Sequence, residues 1–400
     1  MKGPEAGLNP DSSWAARVGG HPVNSIRLFL CGDVMTGRGI DQILASPSEP
    51  WIHESYLESA LDYVMLAEHA SGPIPRAVGP SYIWGDALAE LERFRPDRRI
   101  INLETAVTRS GDWLPKGINY RMNPANVACL TAAGIDCCVL ANNHVLDWGE
   151  RGLIETLDTL GGAGLHTAGA GASRSAAESP AALEVPGRGR VLAYAVCADT
   201  SGVPSDWAAT ARAPGVALVP DLSPHTADQL AKRIQAGRQP GDLVVLSMHW
   251  GGNWGYTVAP DESRFAHALI DARAVDVFHG HSSHHPKAIE IYRDRLILYG
   301  CGDFINDYEG IRGHAEFRGE LGFMYLPELE AGTGRLLRLE LVATRMKRFR
   351  VQRAAAADTR WVCAVIDREG ARFGTRARLR ADGRIELERV AAAGIASHGG

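Results

Sequence analysis

Short apolar runs alternate with amphipathic stretches along most of this chain. The first run, IRLFLC at 26–31, predicts a buried strand that ends at a turn of Gly32 and Asp33. Similar runs predict further strands, and stretches with a helical period predict helices between them. Strands are expected at 99–103, 136–141, 190–196, 242–248 and 275–278, and helices at 125–133, 150–162, 225–236 and 261–272. This alternation is typical of an α/β domain.

The last third of the chain contains more strands than helices. Two strands near 287–291 and 295–299 precede the alternating stretch RLLRLELV, and a last strand near 375–388 follows a helix near 358–368. This content predicts mixed rather than purely parallel sheets. Earlier in the chain, the segment 45–85 is expected to be a long, loop-rich insertion.

The chain is expected to divide into four segments. A core domain is predicted over 26–330, and a C-terminal extension of strands and a helix, packed on that core, over 331–390. Residues 1–25, rich in Gly, Pro and Ser, predict a flexible lead-in. Residues 391–400, rich in Ala and Gly, predict a disordered tail.

Composition narrows the class of protein. Hydrophobic residues at 45% and charged residues at 22% indicate an ordinary soluble globular protein. The net charge of -5 argues against nucleic acid or an anionic membrane as a partner. Seven cysteines without CxxC spacing favour reduced thiols. Because the first 25 residues contain no signal-peptide core and no apolar run can span a bilayer, we expect a cytoplasmic protein without a membrane anchor.

Polar residues that can bind a metal follow several of the predicted strands. These residues are Asp33, Glu104, Asn143 with His144, His249 and the cluster from His279 to His285. Carboxylate, amide and imidazole groups are ligands of divalent metals. Because α/β enzymes place their chemistry at strand ends, the five positions predict one shared metal site.

Each of these residues also has a purely structural interpretation. Asp33 could form a turn, Glu104 could pair with an arginine, and His249 could be a core histidine. Asp147 is expected to cap the helix that follows it. The histidines at 279, 284 and 285 fit a site and a scaffold equally well. Five independent coincidences nevertheless explain the pattern less well than a single site does.

Six motifs occur in an order and at spacings that resemble one protein family. They are GDVMTGR (32–38), NLETAVT (102–108), ANNHVLDWG (141–149), HWGGNWG (249–255), GHSSHHP (280–286) and GDFIND (302–307). The chain resembles the CapA-like family of poly-γ-glutamate capsule synthesis, which is related to the calcineurin-like metallophosphoesterases. The resemblance covers roughly residues 26–310. It implies a four-layer α/β/β/α sandwich of two mixed sheets, with a small C-terminal α+β unit.

The resemblance also implies roles for individual residues. Asp33 and Glu104 would be carboxylate ligands, Asn143 the amide ligand, and His249 and His281 the imidazole ligands. The residue beside the amide ligand, His144, would be the acid that faces the substrate. Oxygen ligands suit Mg, Mn or Ca, whereas two imidazoles favour Mn, Zn or Fe, so the donor set leaves the metal's identity open.

Two departures from the metallophosphoesterase pattern affect the expected chemistry. Met35 stands where those enzymes have a histidine after Asp-x, and Ser283 stands where they have the second histidine of Gly-His-x-His. A two-metal clamp for phosphoryl displacement needs both ions firmly bound. We therefore expect one well-held metal and at most a weak second, and phosphatase activity is placed in doubt.

Other residues on loops beside the ligands are candidates for substrate binding. They are Arg38, Lys116, Tyr120, Arg121, Trp250 and Trp254. Cationic side chains suit a carboxylate or phosphate, and indoles suit an extended ligand. For the two tryptophans, structural packing is an equally good interpretation.

Three functions remain open from the sequence. The protein could be a metal-dependent hydrolase of a phosphoester or amide, or a factor in poly-γ-glutamate assembly. Some CapA-like proteins epimerise lasso-peptide precursors, which are ribosomally made, and this function requires only one metal. Epimerisation of a peptide is slightly favoured, with His144 and one of His284, His285 or Asp303 as the acid–base pair. The expected partner is a peptide or peptide-like polymer, and oligomerisation is left open.

Overall fold

The computed structural model describes residues 24–390. The predictions for the lead-in before residue 24 and for the tail from 391 lie outside the described residues. The strands are β1 Ser25–Val34, β2 Arg98–Leu103, β3 Ala106–Val107, β4 Arg121–Met122, β5 Cys137–Val139, β6 His166–Ala168, β7 Ala170–Gly171, β8 Ala181–Val185, β9 Gly189–Ala198, β10 Gly215–Val216, β11 Leu218–Val219, β12 Leu243–His249, β13 Val277–His281, β14 Ile289–Tyr292, β15 Arg295–Leu298, β16 Asp303–Ile305, β17 Leu321–Glu330, β18 Leu336–Met346, β19 Val351–Arg353, β20 Thr375–Leu379 and β21 Ile385–Arg389. The α-helices are α1 Gly39–Ile43, α2 Ala60–Ser71, α3 Ala87–Phe94, α4 Ala128–Thr131, α5 Gly149–Gly162, α6 Arg174–Glu178, α7 Pro224–Gly237, α8 Pro260–Asp271 and α9 Ala356–Gly370.

Two large sheets form the centre of the molecule. The first has ten strands in the order β20-β21-β18-β17-β1-β2-β5-β6, with β16 paired to β1 and β19 to β18. The second has seven strands in the order β11-β9-β12-β13-β15-β14, with β8 paired to β9. Both sheets are mixed, since β1 runs parallel to β2 and antiparallel to β17, and β9 runs parallel to β12 and antiparallel to β8.

The side chains of the second sheet show how the layers stack. Along β9, Val191 and Ala193 join the core shared with the first sheet, whereas Leu192 and Tyr194 join a second core with α7 and α8. Each face of this sheet is therefore buried, one against the first sheet and one against helices. Helices α3 and α5 contribute to the first core. The expected four-layer α/β/β/α sandwich with two mixed sheets is confirmed.

The segment 45–85 differs from its prediction as a loop-rich insertion. It contains the helix α2, which begins after Ser59, whose hydroxyl accepts a hydrogen bond from the Leu61 N–H. Leu61, Met65 and Leu66 of this helix are at least one-third exposed. Because apolar residues lie on its exposed side as well as on its buried side, the helix has no clean amphipathic pattern in the sequence.

The C-terminal strands continue the first sheet. Strand β18 pairs with β17 over almost its whole length, and β21 pairs with β18. The single strand expected near 375–388 is instead the hairpin β20–β21, with its turn at 380–384. The boundary between a core and an extension at residue 330 stays a prediction.

The strand order places the predicted ligands at one end of the sandwich. Strands β1, β2 and β5 run parallel, as do β12 and β13 in the other sheet. The carboxyl ends of these five strands carry Asp33, Glu104, Asn143, His249 and His281. None of the described helices combines the length and the apolarity that a transmembrane span requires.

An ion cluster joins the C-terminal hairpin to α3 and β18 and allows a test of this packing. Arg384 lies 2.7 Å from Glu90 and 2.9 Å from Glu340, and its side chain is only 10% exposed. We expect Arg384→Ala to lower the free energy of unfolding by about 2 kcal/mol, because it removes the most buried cation between the two carboxylates, although Arg93 still contacts both of them. Chemical denaturation measures the change.

The matched control is Arg378→Ala in the same hairpin. Arg378 is 75% exposed and faces Glu388 at 3.7 Å. Its replacement should cost less than about 1 kcal/mol, as is usual for a surface pair. Equal effects of the two substitutions would contradict the structural role of the Arg384 cluster.

Candidate functional site

The five residues predicted as metal ligands converge at the strand ends. His281 Nδ1 lies 3.1 Å from Asp33 Oδ1 and thereby joins the ends of the two sheets. His249 Nε2 lies 3.1 Å from Asn143 Oδ1 and 4.0 Å from Glu104 Oε1. Ligand atoms of Asp33, Glu104 and His249 all lie within 4.8 Å of one another. These three residues form a buried cluster that can hold one metal ion.

Two buried carboxylates dominate the electrostatics of this cluster. The Asn102 amide donates to Asp33 at 2.7 Å and to Glu104 at 3.3 Å. Burial and the neighbouring Asp33 charge raise the pKa of Glu104. Burial also acts to raise the pKa of Asp33, but the hydrogen bond and the charge of His281 outweigh it and lower that pKa. Two carboxylates this close favour the binding of a proton or a cation between them.

Unsatisfied buried atoms support a cation rather than a proton alone. Within residues 24–390, Asp33 Oδ2, His249 Nδ1 and His281 Nε2 are buried and have no hydrogen-bond partner. Buried polar atoms without partners are costly and therefore uncommon. Carboxylate and imidazole groups are metal ligands, so the residues at this site fit a divalent ion.

His144 lies beside the cluster and is oriented by Asp147. Its Nδ1 lies 2.7 Å from Asp147 Oδ2, and its Nε2 lies 3.9 Å from Glu104 Oε1. Burial lowers the pKa of His144 to about 4, although Asp147 acts in the opposite direction. The prediction that Asp147 caps the following helix is wrong. Its carboxylate instead accepts hydrogen bonds from the Tyr120 N–H and from Lys116, and Trp148 occupies the cap position.

His284 forms a second histidine–carboxylate pair on the other side of the cluster. Its Nδ1 lies 2.9 Å from Asp303 Oδ1, and the other Asp303 oxygen accepts from Asn306 at 2.9 Å. Burial acts to lower the pKa of His284, but the charge of Asp303 outweighs it and raises that pKa. The neighbouring strands of the first sheet follow the order β16, β1, β2 and β5 at this end. Asp303 begins β16 on one side, and His144 follows β5 on the other. The two pairs therefore flank the carboxylates.

The side chains of three residues expected at the site are already paired or packed within the protein. Arg38 is buried between Asp307 at 2.6 Å and Glu54 at 2.8 Å, so its charge is already paired. Trp250 is 1% exposed in the second core and donates to a backbone carbonyl. Both ring nitrogens of His285 are hydrogen-bonded to the backbone. These contacts do not support substrate binding by Arg38 or Trp250, or proton transfer by His285.

Of the other expected residues, three are partly exposed and one is buried. Lys116 pairs with Asp147 at 2.8 Å, but its side chain is 20% exposed. Arg121 is half-buried and donates only to the backbone carbonyls of Ser110 and Glu49. Trp254 is half-buried and stacks on His314 with ring centroids 4.3 Å apart. Tyr120 is buried and packs edge-on against His144.

The position expected for a second metal lacks a strong ligand on one side. Met35 is buried there, and its sulfur lies 3.6 Å from the Tyr308 hydroxyl. A thioether binds hard cations poorly. One well-held metal with at most a weak second stays the prediction.

Sequence reasoning missed two amides that organise the site. Asn102 bridges the two carboxylates, and Asn142 accepts hydrogen bonds from the backbone N–H groups of His144 and Val145. The Asn142 amide also donates to Asn102 at 3.0 Å. Both residues stand in the motifs NLETAVT and ANNHVLDWG next to predicted ligands, and that adjacency was the available signal.

An α/β sandwich of two mixed sheets with a buried Asp/Glu/His cluster at its strand ends defines a class of α/β protein with a candidate metal site. The family model for the bacterial capsule synthesis protein PGA_cap matches residues 27–308. This chain belongs to that family.

The chain is also similar to individual proteins. The chain is 46% identical over 382 residues to a probable polyglutamine synthesis accessory protein of Mycobacterium tuberculosis, covering 95% of this chain and all of that protein. It is 28% identical to the capsule biosynthesis protein CapA of Bacillus anthracis, covering 48% of this chain and 45% of the relative. Among solved structures, it is similar to GAP50, the anchor in the inner membrane complex of Plasmodium, with 10% identity, a TM-score of 0.32, and coverage of 82% of this chain and 88% of the other.

The cluster predicts that metal content depends on the strand-end residues. We expect Asp33→Asn and His249→Ala to lose most of the bound metal after loading with Mn²⁺ or Zn²⁺, because each removes a ligand of the cluster. Elemental analysis measures the content. Metal addition should raise the melting temperature of the unsubstituted protein and not that of the two variants.

The control is His144→Gln, which changes a residue beside the cluster that is paired with Asp147. This variant should retain the metal. Loss of metal as complete as in His249→Ala would make His144 a main ligand, and retention of metal by Asp33→Asn would exclude the carboxylate cluster as the site.

Proposed function

We propose that this protein is a divalent-metal-dependent acid–base enzyme that acts on a glutamate polymer or a similar peptide. The observation that supports the proposal best is the pair of histidines on opposite sides of the carboxylate cluster. Each histidine is oriented by its own carboxylate, His144 by Asp147 and His284 by Asp303. Paired groups of this kind serve to remove and to return protons.

The metal would be held by Asp33, Glu104, Asn143, His249 and His281. A bound divalent ion would draw electron density from a carbonyl or carboxylate oxygen of the substrate. Because two of the five ligands are imidazoles, Mn²⁺ or Zn²⁺ suits the set better than Mg²⁺ or Ca²⁺ does.

The two histidines present equivalent atoms to a substrate. In each ring, Nδ1 donates to a carboxylate, so Nε2 is left to accept or deliver a proton. His144 Nε2 points towards Glu104, from which it is 3.9 Å away. A substrate unit bound over the cluster would therefore have one imidazole on either side.

The substrate class follows from the relatives and from a cationic group nearby. The closely similar mycobacterial protein is described as a polyglutamine synthesis accessory protein, and the Bacillus relatives as capsule or PGA biosynthesis proteins. Lys116 is a partly exposed cation beside the site. The Lys116 ammonium could pair with a carboxylate of the substrate, since it lies between Asp147 and the Asn143 carbonyl next to the cluster.

The reaction that this arrangement supports is inversion of an α-carbon. One imidazole removes the Cα proton, and the electron pair of that C–H bond is delocalised onto the adjacent carbonyl oxygen. The other imidazole then delivers a proton to the opposite face of the same carbon. The net change is one of configuration, so no water nucleophile is needed and a second metal is dispensable.

Hydrolysis of an amide bond is the second candidate. Its support is the carboxylate–histidine cluster itself, since hydrolytic metal sites use the same donors. In this reaction one imidazole accepts a proton from the attacking water, and the other protonates the leaving amine. Both reactions require the two histidines, so the distinction depends on the product.

Incubation of the metal-loaded protein with α- and γ-linked glutamate peptides in D2O tests the proposal. We expect the peptide to gain one deuteron without cleavage, as measured by mass spectrometry, and chiral analysis should detect the inverted residue. Variants His144→Gln and His284→Gln should each reduce exchange by at least about 100-fold, the scale of a lost general acid or base.

Two other outcomes have clear meanings. Fragments of the peptide would favour hydrolysis over epimerisation. An unchanged peptide mass in every reaction, together with full metal loading, would contradict an enzymatic role on this substrate class and favour an assembly role without catalysis. Arg109→Ala, an exposed residue away from the two histidines, is the matched control and should behave as the unsubstituted protein does.

A further inference from the structure

Two tyrosines connect the histidines that flank the cluster. Tyr120 packs edge-on against His144, with ring centroids 4.5 Å apart, and Tyr308 packs edge-on against His284 at 5.4 Å. The Tyr120 hydroxyl donates to the Tyr308 hydroxyl at 3.0 Å. The two phenols therefore lie between the candidate acid and base.

The environment of these phenols is fixed by a buried arginine. The Arg38 guanidinium lies 4.3 Å from the centre of the Tyr120 ring and 5.8 Å from that of Tyr308. Arg38 is itself held by two carboxylates, and its backbone has a positive φ of 47°. A non-glycine residue adopts such a conformation only when its surroundings impose it. The arginine is thus a rigid positive support for the phenol pair.

The hydrogen of the Tyr308 hydroxyl has only a weak acceptor. Tyr120 is the donor between the two phenols, so the Tyr308 hydroxyl directs its own hydrogen towards the Met35 sulfur. The Tyr308 oxygen lies 3.6 Å from that sulfur. A thioether accepts hydrogen bonds poorly. Tyr308 is half-buried, so a ligand in the site can reach it. A substrate oxygen would be a far better partner for this hydrogen than the sulfur is.

We propose that Tyr308 is a substrate-contacting residue whose hydroxyl donates a hydrogen bond to a carbonyl or carboxylate oxygen of the bound peptide. Tyr120 acts as a positioning residue, because its hydrogen bond turns the Tyr308 hydrogen away from the Tyr120 ring. The phenol keeps its proton throughout, and its contribution is to stabilise negative charge on the substrate oxygen. This assignment rests on the proposed function for its substrate class.

The same contacts explain why Met35 can stand where the related phosphoesterases have a metal-binding histidine. The thioether fills the position without holding a cation, and the Tyr308 hydroxyl occupies the space next to it. The side of the site that lost a metal ligand gained a neutral hydrogen-bond donor. Such a donor can bind the oxygen of a peptide without attracting a free phosphate dianion as a second metal would.

Calorimetric binding of the dipeptides γ-Glu-Glu and α-Glu-Glu to the full-length, metal-loaded protein tests the assignment. We expect Tyr308→Phe to weaken binding of at least one dipeptide by about tenfold, the effect of one lost hydrogen bond in a partly buried site. Its metal content and its melting temperature should equal those of the unsubstituted protein. Tyr120→Phe should have a smaller effect in the same direction.

Tyr292→Phe is the matched control, because Tyr292 is half-buried at the end of β14 and its hydroxyl donates to Asp271 at 3.3 Å, so its removal takes away a hydroxyl outside the phenol pair. Equal binding by Tyr308→Phe and the unsubstituted protein would overturn the assignment, and so would failure of the unsubstituted protein to bind either dipeptide. If the dipeptide binds in a Tyr308-dependent way but undergoes neither exchange nor cleavage, the proposed reaction fails while the role of Tyr308 stands.

Discussion

The contact between the Asp33 carboxylate and the His281 imidazole joins the ends of the two sheets, and the candidate site depends on it. Asp33 ends the central strand of one sheet and His281 ends a central strand of the other, with 3.1 Å between Nδ1 and Oδ1. A second link between the sheets lies two residues earlier on both strands, where the His279 ring donates to the Cys31 carbonyl at 2.8 Å. Because both contacts bridge the sheets, any change in sheet packing would separate the ligands.

Burial of charge at this junction is balanced by neighbouring groups rather than by solvent. Glu104 and Asp33 are fully buried, and they share the Asn102 amide. Isolated buried carboxylates would be strongly disfavoured, so imidazoles and amides surround them, and the cluster can also hold a cation. The same principle applies to Arg38, whose two carboxylate partners allow it to be buried beneath the tyrosines. Electrostatic compensation therefore explains how both the carboxylate–histidine cluster and the arginine beneath the phenol pair can be buried.

The sequence predicted which polar residues lie together at the strand ends better than it predicted the surroundings of Arg38 and Trp250. Each of the five predicted ligands lies at or just after the carboxyl end of a strand, and the parallel strands of each sheet bring these ends together. The five residues are Asp33, Glu104, Asn143, His249 and His281. Arg38 and Trp250 have residue types that suit ligand binding, but their environment depends on distant segments. The guanidinium of Arg38 pairs with Glu54 and Asp307, which are 16 and 269 residues away in the chain. No local pattern contains that information.

The sequence by itself determined the α/β class, the order of most strands and helices, and the family, because hydrophobic periodicity and local motifs are short-range properties. The tertiary structure alone decided that both ring nitrogens of His285 bond to the backbone, that Asp147 orients His144 instead of capping a helix, and that the C-terminal strands extend the first sheet. It also decided that Tyr120 and Tyr308 meet between the two histidines, across a separation of 188 residues. Which polar groups find partners and which are left free depends on side chains brought together from distant segments, and only the packed sandwich defines those neighbours.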